Sequence, residues 1–368
     1  MNTALKNKIT VLLLGGILLT LSVFCWLKPT TEYSDSERRV LAEFPDLNKE
    51  TVLNGKFMSE FETYTLDQFP MRDTFRGMKS MATLKLFHQA QVNDLYLHKG
   101  YIAKAEYPLS QPMLDNAGQK FQALYDKYMA DTDVKLYFSI VPDKNYFLAD
   151  EAHQLTMDYT ALADSMKAQT PYMKYVDLFP HLTIGDYYYT DTHWKQEQLL
   201  PVAQVLADTM GTKLETDYKV NTLTDEFYGV YYGQLAMPVK PDSLKYLTNS
   251  TLDHCIVTSY NTGAPVLNTM YDLSKKDSKD PYELFVCGND PLVTIENPLA
   301  TTDKELVVFR DSFGSSIAPL LATGYSKVTL VDIRYMNSAM LGFFLKFDDQ
   351  DVLFLYSTLV LNSSTSFK

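Results

Sequence analysis

Glu305-Leu-Val-Val-Phe-Arg310-Asp311-Ser312-Phe313-Gly314-Ser315-Ser316-Ile317 is the stretch on which the fold turns. An apolar, β-branched run enters Asp-Ser-Phe, and small residues then open an amphipathic helix. Strand, tight turn and helix in that order put Ser312 at the C-terminal edge of a sheet, where open α/β proteins place their ligands. The first N–H groups of the helix, Phe313 among them, and the positive end of its dipole can then face a developing oxyanion. Asp311 and Ser312 are also ordinary helix N-caps, and the stretch alone fits either role.

On either side the pattern alternates. Strands are predicted over Val134–Val141, Lys174–Leu178, Leu284–Val286, Glu305–Phe309, Val328–Ile333 and Val352–Tyr356. Helices are predicted over Leu114–Met129, Trp194–Met210, Gly314–Thr323 and Ser338–Phe347. Such alternation predicts an α/β sandwich with a mainly parallel sheet. Residues 217–281, rich in Tyr, Asn, Thr and Asp, break the rhythm and read as a loop-rich insertion with short strands. From Thr30 to about Gly100 the chain reads as a tether followed by helices. One carries Phe57, Phe61 and Tyr64 at helical spacing, and another, Arg72 to Gln91, has Met78, Met81, Leu84 and Phe87 on one side.

Composition narrows the class. The 368 residues are 46% hydrophobic and 21% charged, which excludes disordered and fibrous chains. The net charge of −12 argues against nucleic acid as a partner. Three cysteines make no disulfide scaffold, although Cys255 and Cys287 are free to pair, and no Cys/His cluster marks a structural zinc. The charge is uneven: residues 1–28 hold Lys6, Lys8 and Lys28 and no acid, so the first 28 residues carry +3 and the remainder −15. Ile9 to Leu27 is uncharged and spans about 28 Å as a helix, enough for a ~30 Å hydrocarbon core. A cleaved signal peptide would have a shorter apolar run and a small-residue exit, where this chain has Phe24-Cys25-Trp26-Leu27. The reading is a signal anchor over residues 9–27, a cytoplasmic tail over 1–8, and the remainder outside the membrane.

A second segment, Asp186-Tyr187-Tyr188-Tyr189-Thr190-Asp191-Thr192-His193-Trp194, precedes the helix ending at Met210. In a strand, Asp191 and His193 would share one face only as alternate residues on a straight run, and a loop before a helix gives the carboxylate more freedom to reach the imidazole. A serine needs a base, and the base needs a carboxylate to fix its tautomer, and Ser312, His193 and Asp191 fill those roles. Two other readings stand beside this one: Thr190 or Asp191 as an N-cap with His193 incidental, and a metal site from His181, Asp186, Asp191 and His193.

Asp-Thr-His-Trp before a helix and a strand-borne Asp-Ser-Phe about 120 residues later resemble the DHHW-type proteins and alginate O-acetyltransferases, bacterial relatives of the SGNH hydrolases. Further segments read like that family in order: Glu37-Arg38-Arg39, Leu41-Ala42-Glu43-Phe44-Pro45, Asp67-Gln68-Phe69-Pro70-Met71-Arg72, Val141-Pro142-Asp143-Lys144, Cys287-Gly288-Asn289-Asp290-Pro291-Leu292 and Val331-Asp332-Ile333-Arg334-Tyr335. The resemblance implies a three-layer SGNH-like fold with Ser312 as nucleophile, His193 as base and Asp191 as its orienter. Arg310 replaces the usual Gly, and Thr192 the first His of the name motif. Phe313, Lys144, Asn289, Arg334, Tyr335 and Tyr189 are candidates for contact with substrate or oxyanion.

The function implied is an anchored, extracytoplasmic O-acetyltransferase or acetylesterase acting on a cell-envelope or secreted polysaccharide through an acyl-serine, with no cofactor. The resemblance also implies a membrane-bound O-acyltransferase partner that supplies acyl groups. The alternative is a non-catalytic glycan-binding or assembly protein on the same fold. The expected organisation is a tether and helical segment over 28–105 and a catalytic domain over 106–368. Tyr187, Tyr188 and Tyr189, with Tyr228, Tyr231 and Tyr232, are expected to line a sugar cleft.

Overall fold

Alternate residues of the strand Glu305–Arg310 feed two separate cores, Leu306 and Val308 one, Val307 and Phe309 the other. A strand covered on both faces must be apolar throughout, which is why this run carries no polar alternation. The computed structural model, which describes residues 3–368, sets it in the middle of an eight-stranded sheet. In chain order the strands are β1 Lys135–Val141, β2 Lys174–Tyr175, β3 Ile256–Ser259, β4 Val266–Asn268, β5 Leu292–Glu296, β6 Glu305–Arg310, β7 Lys327–Val331 and β8 Asp351–Ser357. Their spatial order is β4-β3-β5-β7-β6-β8-β1-β2. The five strands from β7 to β2 are parallel. The edge formed by β5, β3 and β4 is antiparallel. Helices Leu200–Met210 and Phe313–Ala322 cover one face, and Gln111–Tyr128 and Tyr159–Gln169 cover the other.

Several expectations are corrected. Leu284–Val286 is not a strand: a 3-10 turn over Pro281–Leu284 leads into Val286 and Cys287, both at positive φ. Its apolar character serves a small cluster with Tyr188, Phe227, Leu244 and Tyr282, so burial without pairing produced a strand-like run. Ser338–Phe347 forms only a 3-10 turn over Ser338–Phe343, and Lys174–Leu178 shrinks to a two-residue strand. Pro201 lies in the first turn of the helix, which therefore begins at Leu200, not Trp194. The 217–281 insertion contains the hairpin Lys219–Phe227/Asp242–Thr248 and also contributes β3 and β4 to the main sheet. All three cysteines are free, and burial pushes the thiols of Cys255 and Cys287 up to about 11 and about 12.

The chain divides into two units. The second comprises Asp94–Tyr231 and Val239–Lys368. It opens on the hairpin Leu95–His98/Tyr101–Lys104, whose Tyr96, Tyr101 and Ala103 pack with Leu148. The first unit runs to Asn93 and includes Tyr232–Pro238. Its leading helix, Thr3–Leu27, has a mean hydropathy of 2.3 and no buried residue, long and apolar enough to cross a membrane. The helix Arg72–Met81 turns its polar side inward, Arg72 and Arg76 to Glu37, and leaves Met78 and Met81 exposed, the reverse of the amphipathic reading.

Candidate active site

Ser312 occupies the turn between β6 and the helix Phe313–Ala322. Asp311 is fully buried and fixes that turn: one carboxylate oxygen accepts the Phe313 N–H at 3.0 Å, the other the Ser357 N–H at 2.7 Å. The strand end and helix start come so close that a Cβ on Gly314 would lie 2.5 Å from Cβ of Arg310, so only glycine fits. Arg310 itself is fully buried, its stem lying against Gly314. Its Nη2 donates to the carbonyls of Gly288 and Asp290 at 3.1 and 3.3 Å, and Asp332 lies 3.6 Å from Nη1. Burial pulls its guanidinium below the ordinary value.

His193 arrives on a folded-back loop. Tyr187 bridges Trp194, and the Tyr188 N–H donates to the His193 carbonyl at 3.1 Å. Within it the Asp191 carboxylate accepts both the backbone N–H of His193, at 3.0 Å, and its ring Nδ1, at 2.6 Å. This local side-chain turn brings the carboxylate within reach of an imidazole two residues on. A carboxylate only accepts, so Nδ1 carries the proton and Nε2 is left as an acceptor. Nε2 lies 2.7 Å from Ser312 Oγ.

What holds the loop is distant in sequence. The Val230 N–H donates to the second Asp191 oxygen at 2.9 Å. The approach is close enough that a Cβ on Gly229 would lie 2.2 Å from Cβ of Asp191. Asp242, buried, accepts from the N–H groups of Tyr189 and Thr190 and from the Thr190 hydroxyl at 2.8, 2.8 and 2.6 Å. The Tyr282 ring stacks on the His193 imidazole, with centroids 3.9 Å apart and planes 7° apart, and its hydroxyl donates to Ser316 Oγ at 2.8 Å. Burial raises the Tyr282 phenol well above its ordinary value, so it stays a donor. Trp194 Nε1 donates to that same Ser316 Oγ at 2.8 Å and to the Phe313 carbonyl at 3.1 Å, tying the two motifs together. Val230, Asp242 and Tyr282 carry no motif. The one signal in the sequence was that the insertion lies between the two motifs in the chain.

Other expected contacts are redistributed. The Phe313 N–H is spent on Asp311, whereas the Ser312 N–H meets no acceptor among the described residues. Asn289 is exposed and bonded to Glu283. Lys144 is buried, not solvated: Nζ donates to the carbonyls of Tyr188 and Tyr189 at 3.0 and 3.3 Å and lies 5.0 Å from the Tyr231 ring centre. Burial brings its amine down to about 7. Arg334 makes a two-pronged pair with Asp332, at 2.9 and 2.7 Å, and Tyr335 is exposed beside it. Tyr187, Tyr188 and Tyr231 are core residues, while Tyr189 is exposed and stacked on Tyr101 at 4.1 Å. Asp186 is engaged by Thr183, and among the described residues no three His, Cys, Asp or Glu side chains converge as a metal site.

The architecture is an α/β sandwich that brings Ser312, His193 and Asp191 into one hydrogen-bonded chain at the C-terminal edge of its parallel strands. A DHHW family protein from Eubacterium siraeum shares this fold, with 18% identity, a TM-score of 0.60, and coverage of 75% of this chain and 94% of its own. PatB1 of Bacillus cereus aligns at 17% identity and a TM-score of 0.56 over 73% of this chain and 96% of its own, and a second PatB1 structure carries a sulfonyl adduct. The O-acetyltransferase domain of Pseudomonas putida AlgJ aligns more loosely, at 12% identity and a TM-score of 0.40. The DHHW family protein and PatB1 thus share this chain's fold. No family profile matches the sequence, and no curated protein does.

Proposed function

We propose that this chain is a membrane-anchored serine O-acyltransferase, passing an acetyl group to hydroxyls of a cell-envelope or secreted polysaccharide, with hydrolysis the outcome when water replaces the sugar. The observation that carries the reading is the continuous chain from Ser312 Oγ through both nitrogens of His193 to a buried Asp191. Ser312 Oγ attacks the acyl carbonyl while His193 Nε2 takes its proton, and the Ser312 N–H steadies the oxyanion. Collapse expels the donor's leaving group, which takes the proton from His193, and leaves acyl-Ser312. An acceptor hydroxyl then gives its proton to His193 and attacks the ester, and Ser312 recovers a proton as the acylated sugar departs. Asp191 holds the tautomer and balances the imidazolium.

The sulfonyl adduct on PatB1 supports a reactive nucleophile on this fold, since sulfonyl electrophiles are captured by activated groups. The exposed ring of Tyr189 offers a flat surface for the acceptor sugar. The apolar helix Thr3–Leu27, with Lys6 and Lys8 near its start, supports an anchor that leaves the relay outside the membrane. One such helix carries no path for acyl groups across a bilayer, so a membrane-bound O-acyltransferase is the proposed source of the donor. Hydrolysis of a chromogenic acetyl ester, with and without added oligosaccharide, tests the reading. Ser312→Ala is expected to remove both activities by on the order of 10⁴-fold with the melting temperature retained. Undiminished activity in that variant overturns it.

A further inference from the structure

The motifs Glu37-Arg38-Arg39 and Asp67-Gln68 take no part in the relay, and within the first unit they meet each other. Asp67 and Gln68 are buried at the end of the helix Lys56–Asp67. Asp67 receives both guanidinium nitrogens of Arg39 and, at 2.9 Å, the Ala42 N–H. Gln68 accepts the Thr31 N–H and donates to the Thr31 carbonyl, both at 2.9 Å, and reaches the Ala42 carbonyl at 3.2 Å. Thr31 stands four residues beyond the end of the apolar helix at Leu27, so the chain leaving that helix is clamped almost at once. The clamp continues into the helix itself: Cys25 Sγ donates to the Gln68 carbonyl at 3.7 Å, and the Trp26 ring meets Phe44 and Phe61 at 6.3 and 6.4 Å. Phe44 packs edge-on against Phe57, Phe61 and Tyr64 in turn.

This segment is a fixed collar, not a loose tether. Its outward side carries large apolar side chains among polar ones: Leu47, Val52, Leu53 and Met58, on or beside the helices Lys49–Leu53 and Lys56–Asp67, are 70, 47, 77 and 64% exposed, interleaved with exposed Asp46, Lys49, Glu50 and Lys56. The aromatic cluster adjoins the last turn of the apolar helix, the depth at which Trp and Tyr rings settle between hydrocarbon and headgroups. Acids outnumber bases between Leu41 and Gln68, so attraction to anionic lipid is not what would hold the collar.

We propose that the collar, residues 44–64, lies in the outer headgroup layer of the same bilayer, with Leu47, Leu53 and Met58 dipping into its apolar boundary. The inference rests on the reading of Thr3–Leu27 as an uncleaved anchor. The test uses the full chain in phosphatidylcholine vesicles, with the native cysteines changed to serine. Single cysteines replacing Leu53, Met58, Leu18 or Lys174 carry an environment-sensitive fluorophore, and quenching by lipids with nitroxides near the headgroup or deep in the acyl chain is compared. A cooperative thermal melt matching the parent's reports that each variant is folded. The expected result is deep quenching at Leu18, none at Lys174, and several-fold greater shallow quenching at Leu53 and Met58 than at Lys174, unchanged between low and high salt. Quenching at Leu18 with Leu53 and Met58 matching Lys174 overturns the collar and leaves the anchor standing, the exposed face then belonging to a protein partner. Absence of quenching at Leu18 overturns the anchor, and the collar with it.

Discussion

The two halves of the proposed Ser312–His193–Asp191 relay are built by different means. The serine sits on a turn made almost wholly by its own neighbours: β6 before it, a fully buried helix after it, Asp311 beside it, and Gly314 where the two cross. The histidine sits on a loop whose shape comes from elsewhere, from Val230, Asp242 and Tyr282, which lie 37, 49 and 89 positions beyond His193. A turn embedded in the core shares its fate with the whole fold. A loop held by a few distant contacts can be displaced while the fold survives.

The sharpest way to break that comparison is to add one methyl group to each half. Gly229→Ala places a Cβ 2.2 Å from Cβ of Asp191 and must push the carboxylate off the imidazole. A displacement of about 1 Å costs about 10²-fold in turnover, and because the new Cβ also lies 2.4 Å from Cα of Asp191 the loop shifts as a whole, with a fall in melting temperature smaller than that of a change inside the core. Gly314→Ala places its Cβ against Arg310 inside the core and is expected to cost about 1–3 kcal/mol of stability by overpacking. Paired rate and thermal-melt measurements check this, and equal effects of the two changes on stability would erase the distinction.

A smaller effect is expected from the stack on the base. Tyr282→Leu removes the aromatic face from His193 and is expected to lower kcat about 2- to 13-fold, the equivalent of ~0.5–1.5 kcal/mol for an aromatic pair. Tyr282→Phe keeps the stack, loses only the bond to Ser316, and is expected to stay near the parent. If the two variants behave alike in kcat, the ring does not position the base.

The gentlest test concerns Lys144, which anchors the loop through two carbonyls. Burial lowers its amine from the ordinary 10.5 to about 7, so between those values the unfolded chain holds a proton that the folded chain lacks. Stability therefore rises with pH across this window: the contribution is complete above about 10.5 and lost as pH falls through about 7. Thermal melts of the parent and Lys144→Met are expected to diverge in the parent's favour as pH rises from 7. Parallel melting curves would show that the amine does not titrate there.

The difference between the halves also marks what the sequence could show. Strand and helix around Ser312 were legible because the apolar run, the turn and the small residues are contiguous, and β1, β6 and β8 were legible for the same reason. The pairing of Asp191 with His193 was legible from spacing, since a side chain that accepts from the backbone two residues on is a local event. Leu284–Val286 misled because burial in a small cluster gives the same apolar signature as a strand. Nothing in Pro142-Asp143-Lys144 shows that the amine is taken up by the carbonyls of Tyr188 and Tyr189, more than forty residues on. Val230 serves through its N–H, which has no side-chain signature at all. The polar, tyrosine-rich insertion broke the α/β rhythm, and its contribution to the relay is made by backbone groups and one carboxylate brought in from far along the chain.

The most direct test of the central claim is covalent capture. The parent chain and His193→Ala are exposed to a sulfonyl fluoride at neutral pH, and the modified residue is mapped by peptide mass spectrometry. The account predicts a single sulfonyl group on Ser312 in the parent and on the order of 10³-fold slower labelling in His193→Ala. Labelling at another residue, or equal labelling of Ser312 in both chains, would contradict it.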